Sequence, residues 1–273
     1  MSQLLVFKFG GELLEDPTRL ATVVQAISTT ARRGVPLAIV HGGGKEIDAA
    51  LKVAGIEKKQ VEGLRITDDR TLDVVVSVLA GAINTRFVAA LTTAGVNAVG
   101  LTGADGGCGL VERAPAHRTV DGQAVDLGRV GIPSETADLR VVTTLAGSRF
   151  VPVIACIGLG ADGQLYNVNA DTFAGHLAAR LRAKRLVIAG TTPGVLDAGG
   201  ATVPTLEPSA VDRLIGSGTA TAGMVAKLRA CEYAVNHGVG DVVIVDGRDL
   251  AALEAVTGDG APRSATRLAL AHA

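Results

Sequence analysis

Apolar residues recur along this chain in two spacings, each closed by glycine: short unbroken runs, and stretches with helical period. Leu4 to Phe9 is the first run, ended by Gly10-Gly11, and predicts a buried strand. Asp16 and Pro17 then supply a helix N-cap and first helical residue, and Leu20, Val23, Val24 and Ile27 hold the helical period until Gly34. Leu37 to Val40 predicts a second strand, closed by His41-Gly42-Gly43-Gly44, with a short helix behind it that stops near Gly55. Ile56 to Thr67 is polar and predicts a loop or hairpin. A long helix begins near Asp68 or Asp69 and carries Leu72, Val75, Val76, Leu79, Ile83, Phe87 and Leu91 on one face before Gly95.

Val96 to Leu101 predicts a third strand, and Thr102 to Ser134 a set of β-hairpins with Asp121-Gly122 as one turn. A helix near Ala137 to Ala146 leads into one strand from Val151 to Ile157, then a hairpin turn at Asp162-Gly163. Asn169 to Leu181 reads as helix and Arg185 to Ala189 as strand. Helices near Ser209–Ile215 and Gly223–Asn236, the strand Val242 to Val245 and a last helix complete the pattern. Strands that alternate with helices and do not themselves alternate in polarity predict a parallel sheet covered on both faces. The expected class is α/β, a three-layer αβα sandwich around a mainly parallel sheet with β-hairpin insertions. One domain over residues 1–273 is expected, with a composition shift near Gly158 to Asn167 between an N-terminal lobe of about 1–160 and a C-terminal lobe of about 161–273.

Composition narrows the classes. At 48% hydrophobic and 19% charged, extended disorder is excluded. Trp is absent, so Ala, Val, Leu and Ile must build the core. The balance of 26 basic and 27 acidic residues lacks the footprint of a general nucleic-acid binder. Met1 to Phe9 has no basic leader or cleavage-like site, and no stretch reaches the roughly 20 apolar residues of a membrane span. Cys108, Cys156 and Cys231 form neither a disulfide framework nor a CxxC metal site, and a reducing cytoplasm is expected.

The candidate chemistry sits at strand ends. Lys8-Phe9-Gly10-Gly11 and His41-Gly42-Gly43-Gly44-Lys45 place glycine clusters between strand and helix, where backbone N–H groups can approach a phosphate. A GxxxxGK[ST] loop is absent, because Glu46 follows Lys45. Gly158 to Gly163 matches GxGxxG, but a hairpin signal follows it instead of a helix. Asn169 and Asp171 suit a helix cap and first turn, which leaves Asn167 unexplained. Arg65 alone reads as a solvated charge. Lys227, early in a helix and opposed to its dipole, requires a local anion. His41 reads as a packing or hydrogen-bonding residue, Cys156 as a small buried apolar side chain, and His117, His176, His237 and His272 have no ligand spacing.

Taken together, these motifs and their order resemble the amino acid kinase family over nearly the whole length. The resemblance rests on Lys8 to Gly11, His41 to Gly44, Gly63 to Asp68, Val99 to Gly103, Val125 to Gly128, Pro152 to Ala155, Asn167 to Asp171, and Gly223-Met224 with Lys227. Within the family the chain is similar to the branch that phosphorylates the side-chain carboxylate of N-acetyl-L-glutamate with ATP and Mg²⁺ in arginine biosynthesis. The resemblance implies that Lys8 and Lys227 stabilise the transferring phosphoryl group and that Asp171 positions both. It implies that Gly43, Gly44, Arg65, Asn167 and Asn169 hold the amino-acid substrate, and that Gly10, Gly11, Thr191, Gly194, Gly223 and Met224 hold the nucleotide. No protein-built metal site is implied. The N-terminal lobe would take the amino acid and the C-terminal lobe the nucleotide.

The chain departs from the family at Gly190-Thr191-Thr192-Pro193-Gly194, where the usual Asp is missing, and at Cys156, where Pro is common. The short segment before Lys8 and the sequence Gly258 to Pro262 differ from the feedback-regulated pattern, so a cytoplasmic, arginine-insensitive homodimer is expected. A kinase for a substrate one methylene longer (lysine biosynthesis), a catalytically silent ligand-binding regulator and, most remotely, a dinucleotide-dependent oxidoreductase are the alternatives.

Overall fold

A computed structural model describes residues 4–119, 121–197, 199–216, 222–258, 260, 262 and 264–269. His272, Asp259 and Ala261 lie outside them. The strands are β1 (Leu5–Phe9), β2 (Leu37–His41), β3 (Ala98–Thr102), β4 (Leu110–Arg113), β5 (Gly131–Pro133) and β6 (Val151–Ala155), followed by β7 (Ile157–Gly160), β8 (Leu165–Asn167), β9 (Arg185–Gly190), β10 (Thr205–Leu206), β11 (Asp241–Asp246) and β12 (Thr266–Leu268). Eight of them form one sheet in the order β10-β12-β11-β9-β1-β2-β6-β3. All its pairings are parallel except β11 with β12. A second sheet, β8-β7-β4-β5, carries the hairpin insertions. The three-layer α/β expectation holds.

The helices are α1 (Gly11–Leu14), α2 (Pro17–Arg32), α3 (Gly44–Val53), α4 (Asp69–Thr93), α5 (Arg140–Gly147), α6 (Ala170–Arg180), α7 (Val211–Gly216), α8 (Ala222–Asn236) and α9 (Leu250–Ala255). Strand alternation assigns the two faces of the sheet. Phe9 meets Phe87 of α4 edge to face, with ring centroids 6.0 Å apart. Its neighbour Lys8 points the other way, to Asp171 of α6. Asp16 caps α2 by accepting from the Thr18 and Arg19 N–H groups, and Gly34 ends it with φ of 74°.

Three features differ from the pattern. The run Val151 to Ile157 is two strands, because the chain leaves the main sheet at Cys156 and enters the second one. The edge strand β10 and its neighbour β12 are two and three residues long, too short for a periodic signal. Helix α4 contains a π-helical segment, Ser77–Ile83, that apolar spacing does not disclose. By length and composition α4 is also apolar enough to cross a membrane, contrary to the expectation above, and 33% of its most apolar window is buried in the protein. Its Leu72, Val75, Leu79, Ile83, Phe87 and Leu91 face the protein core.

Candidate active site

β1 and β2 are parallel and in register, Phe9 opposite His41, so their glycine turns emerge side by side. The turns touch: a Cβ on Gly11 would stand 2.6 Å from the Gly43 Cα, and one on Gly43 would collide with Ile83 of the π segment. Glycine is needed here for close approach.

The turn after β2 is braced from below. His41 is fully buried, and the Asn84 Nδ2 donates to its Nε2 at 3.0 Å and to the Val153 carbonyl at 2.9 Å. Nε2 is therefore the unprotonated, accepting nitrogen. Burial, only partly offset by the Gly42 carbonyl, lowers the His41 pKa from 6.5 to about 4. Between those values the unfolded chain binds a proton that the folded chain refuses, so stability falls as pH falls through that window. Urea titrations of the unaltered chain and of His41→Gln at several pH values check this. The variant should lack a pH-dependent loss on the order of 3 kcal/mol. Equal slopes in both chains would contradict it.

Beyond the two turns lies a cleft of about 270 Å³, lined by Lys8, Gly10, Gly11, Gly43, Gly44, Arg65, Asn167, Asn169, Asp171 and Lys227. At its centre is Asp171, in the first turn of α6 and 6% exposed. The Lys8 Nζ lies 2.8 Å from its Oδ1, and the Lys227 Nζ 3.9 Å from its Oδ2. The anion required for Lys227 is thus Asp171, although Lys227 stands in the second turn of α8, not the first. Burial alone would lower the Lys8 pKa. The adjacent Asp171 carboxylate, with help from Glu12, outweighs it and holds the pKa above the ordinary lysine value. Cys156 lines the same cleft, and burial pushes its thiol up to about 12.

At the other end of the cleft, a two-stranded hairpin, Gln60–Val61 with Leu64–Arg65, presents Arg65. Its side chain is 13% exposed, not the solvated charge of the bland reading. One nitrogen, Nη2, meets Asp48 of α3 at 2.5 Å, and Lys58 meets the other Asp48 oxygen at 2.8 Å. Burial would raise the Asp48 pKa, and the two cations overcome it to hold the pKa low. The Arg65 Nη1 is buried without a hydrogen-bond partner. Asn167, on β8, donates from Nδ2 to the Thr67 Oγ1 at 3.3 Å. Asn169 caps α6, its Oδ1 accepting from the Asp171 and Thr172 N–H groups at 2.9 and 3.0 Å, so that oxygen is committed to the helix.

Thr191, Gly194, Gly223 and Met224 fall outside the lining. Gly194 is buried against β12, where a Cβ would stand 2.5 Å from the Thr266 Oγ1, so packing explains this glycine. Gly158 to Gly160 form strand β7 with a hairpin behind it, which removes the dinucleotide-loop alternative. His41 is the buried hydrogen-bonding residue expected, and the residues missed in the sequence are Asp48, Glu12 and Asn84, the partner of His41. Asp48 lies four residues after Gly44 on α3, and only the hairpin brings Arg65 to it.

The sequence profile of the Amino acid kinase family matches residues 3–246. The chain belongs to the amino acid kinase family. A curated acetylglutamate kinase from Methylobacterium nodulans is 41% identical over 252 residues, spanning 90% of this chain and 82% of its own. A solved Streptococcus mutans structure superposes with a TM-score of 0.80 at 27% identity, covering 90% of this chain and 96% of its own. A carbamate kinase from Giardia lamblia bound to AMP-PNP superposes with a TM-score of 0.69, covering 98% and 99%; at 14% identity that likeness is one of fold. Within the family frame, the paired glycine turns and the Lys8–Asp171–Lys227 cluster share one cleft with Arg65.

Proposed function

We propose that the chain is a carboxylate kinase that moves the γ-phosphoryl group of ATP to the side-chain carboxylate of N-acetyl-L-glutamate, giving N-acetyl-L-glutamyl 5-phosphate and ADP. The observation that carries the proposal is two lysines on one buried aspartate, facing two glycine turns, with Arg65 at the far end of the same cleft. Relatives named acetylglutamate kinase at 41% identity support the substrate.

The chemistry suits the residues. A side-chain carboxylate with a pKa of about 4.3 is already ionised at neutral pH and needs no general base. A carboxylate oxygen forms the new bond to phosphorus, and the bond to the bridging oxygen of ADP breaks. The barrier is the approach of one anion to another. Lys8 and Lys227 neutralise the moving phosphoryl oxygens, and Asp171 sets their spacing. Gly43 and Gly44 supply N–H donors that need no reorganisation. Arg65, steadied by Asp48, turns its unpartnered Nη1 to the substrate α-carboxylate, and Asn167 holds the acetylated amino acid.

Gly10 and Gly11 lie by the nucleotide phosphates, and the rest of the nucleotide extends toward Thr191, Gly223 and Met224, with Gly194 packed behind them. This reading makes residues 1–160 the amino-acid lobe and 161–273 the nucleotide lobe. Mg²⁺ would arrive on the nucleotide, since it seldom uses an all-protein cage. There it would neutralise phosphate charge.

Arg65→Lys keeps the charge but loses the planar fork. Its KM for the amino acid should rise about tenfold to a hundredfold, with kcat changed less. Unchanged KM would return Arg65 to a structural role. The reaction itself is tested by trapping the acyl phosphate with hydroxylamine, using ATP, Mg²⁺ and a panel of N-acyl acidic amino acids. Product with N-acetyl-L-glutamate alone supports the proposal. Preference for the homologue one methylene longer moves the substrate to that compound, and no product with any points to a silent regulator.

A cytoplasmic homodimer completes the reading. The edge strand β3 and the partly exposed apolar residues of α4 are where a second copy would pack. Light scattering that gives a monomer or a hexamer would oppose it, as would inhibition by arginine.

A further inference from the structure

Glu12 lines the cleft without a task in the mechanism above. Its carboxylate folds back over the first glycine turn, where a methyl group on Gly10 would collide with it. It also reaches the neighbouring strand end: a Cβ on Gly190 would stand 3.6 Å from the Glu12 Oε1 and 3.9 Å from the Lys227 Cε. β1 and β9 are parallel neighbours in register, and the Gly10 N–H donates to the Ala189 carbonyl at 3.1 Å, so both glycines open one crevice. The carboxylate is half-buried there, close enough to Lys8 to help hold its charge.

Asp171 is engaged by both lysines, whereas no ion pair or hydrogen bond of the Glu12 carboxylate occurs among the described residues. A negative group therefore waits on the surface across which a triphosphate must lie. A bare triphosphate is repelled by it. A triphosphate carrying a divalent cation presents a neutralised face and can take the carboxylate into the cation's coordination or hydration shell. One carboxylate and phosphate oxygens suit Mg²⁺, which keeps several waters and seldom uses an all-protein cage.

We propose that Glu12 makes the cleft select the metal-complexed nucleotide over the metal-free one. The proposal rests on the kinase reading above and names the residue that would enforce the nucleotide form that reading uses. Titration calorimetry with the non-hydrolysable analogue AMP-PNP tests it, once with excess Mg²⁺ and once with EDTA. The unaltered chain should bind the Mg²⁺ form more tightly. In Glu12→Gln, metal-free binding should strengthen and Mg²⁺-form binding should weaken or hold, so that the ratio of the two affinities falls by about tenfold or more. Glu12→Asp keeps the charge and should keep the preference. Thermal melts check that both variants are folded. A ratio in Glu12→Gln within twofold of the unaltered chain would overturn the selection by Glu12 and leave the kinase reading standing. Failure of the unaltered chain to bind either form would overturn both.

Discussion

Lys8→Ala is expected to lower turnover by about 10²–10³-fold, with little change in the KM for either substrate. Lys8 meets a charge that concentrates as the phosphoryl group moves, so its removal is felt more in the transition state than in the bound complex. Lys227→Ala should follow in kind, and the double variant should lose less than the product of the two, because both lysines lean on one aspartate. Steady-state kinetics on purified, folded protein check both. Unchanged turnover in Lys8→Ala would remove the lysine from the chemistry. The raised Lys8 pKa adds that activity should show no alkaline loss from this residue below the ordinary lysine range.

Asp171→Ala should be the more damaging change to the molecule as a whole. Lys8 is 5% exposed, and this variant leaves its ammonium buried without the partner 2.8 Å away. Breaking a buried pair from one side costs about 3–5 kcal/mol, so the melting temperature should drop by roughly 10 °C. Turnover should fall at least as far as in Lys8→Ala, since both lysines lose their anchor. The double variant Lys8→Met with Asp171→Leu separates the two roles. It should regain much of the stability, because the buried Lys8 ammonium is gone and only the more exposed Lys227 has lost its partner, and regain none of the activity. Differential scanning calorimetry beside the kinetic assay reads both. A double variant as unstable as Asp171→Ala would show that the pair is not the source of the loss.

What the chain discloses without its structure follows from which interactions are local. Asp16 at a cap, Gly34 at a helix end and the Leu72-to-Leu91 stripe are set by neighbours within a turn or two, and all are where their spacing puts them. The main parallel sheet was legible for the same reason. The break at Cys156 was not, because the residues on both sides are equally apolar and only the partner strand changes. The short strands β12 and β10 owe their state to the strand each pairs with, β12 to β11 and β10 to β12, rather than to their own sequence. At the site, the glycine turns and Lys227's need for an anion were readable from residue type and position. The identity of that anion required the fold, which stands α6 against β1 and α8. Asp48 and Glu12 left no mark, since a lone carboxylate near a helix start reads as a dipole partner until tertiary structure places Arg65 or Gly190 beside it.

The central claim is that Lys8 and Lys227 converge on one migrating phosphoryl group. A crystal structure with MgADP, aluminium fluoride and N-acetyl-L-glutamate tests it most directly, because the planar fluoride stands where that group passes. The fluoride should lie within hydrogen-bond distance of both Nζ atoms, with the Gly43 and Gly44 N–H groups on its flank and the substrate carboxylate in line behind it. A fluoride plane bound away from either lysine, or a substrate carboxylate turned from it, would contradict the account.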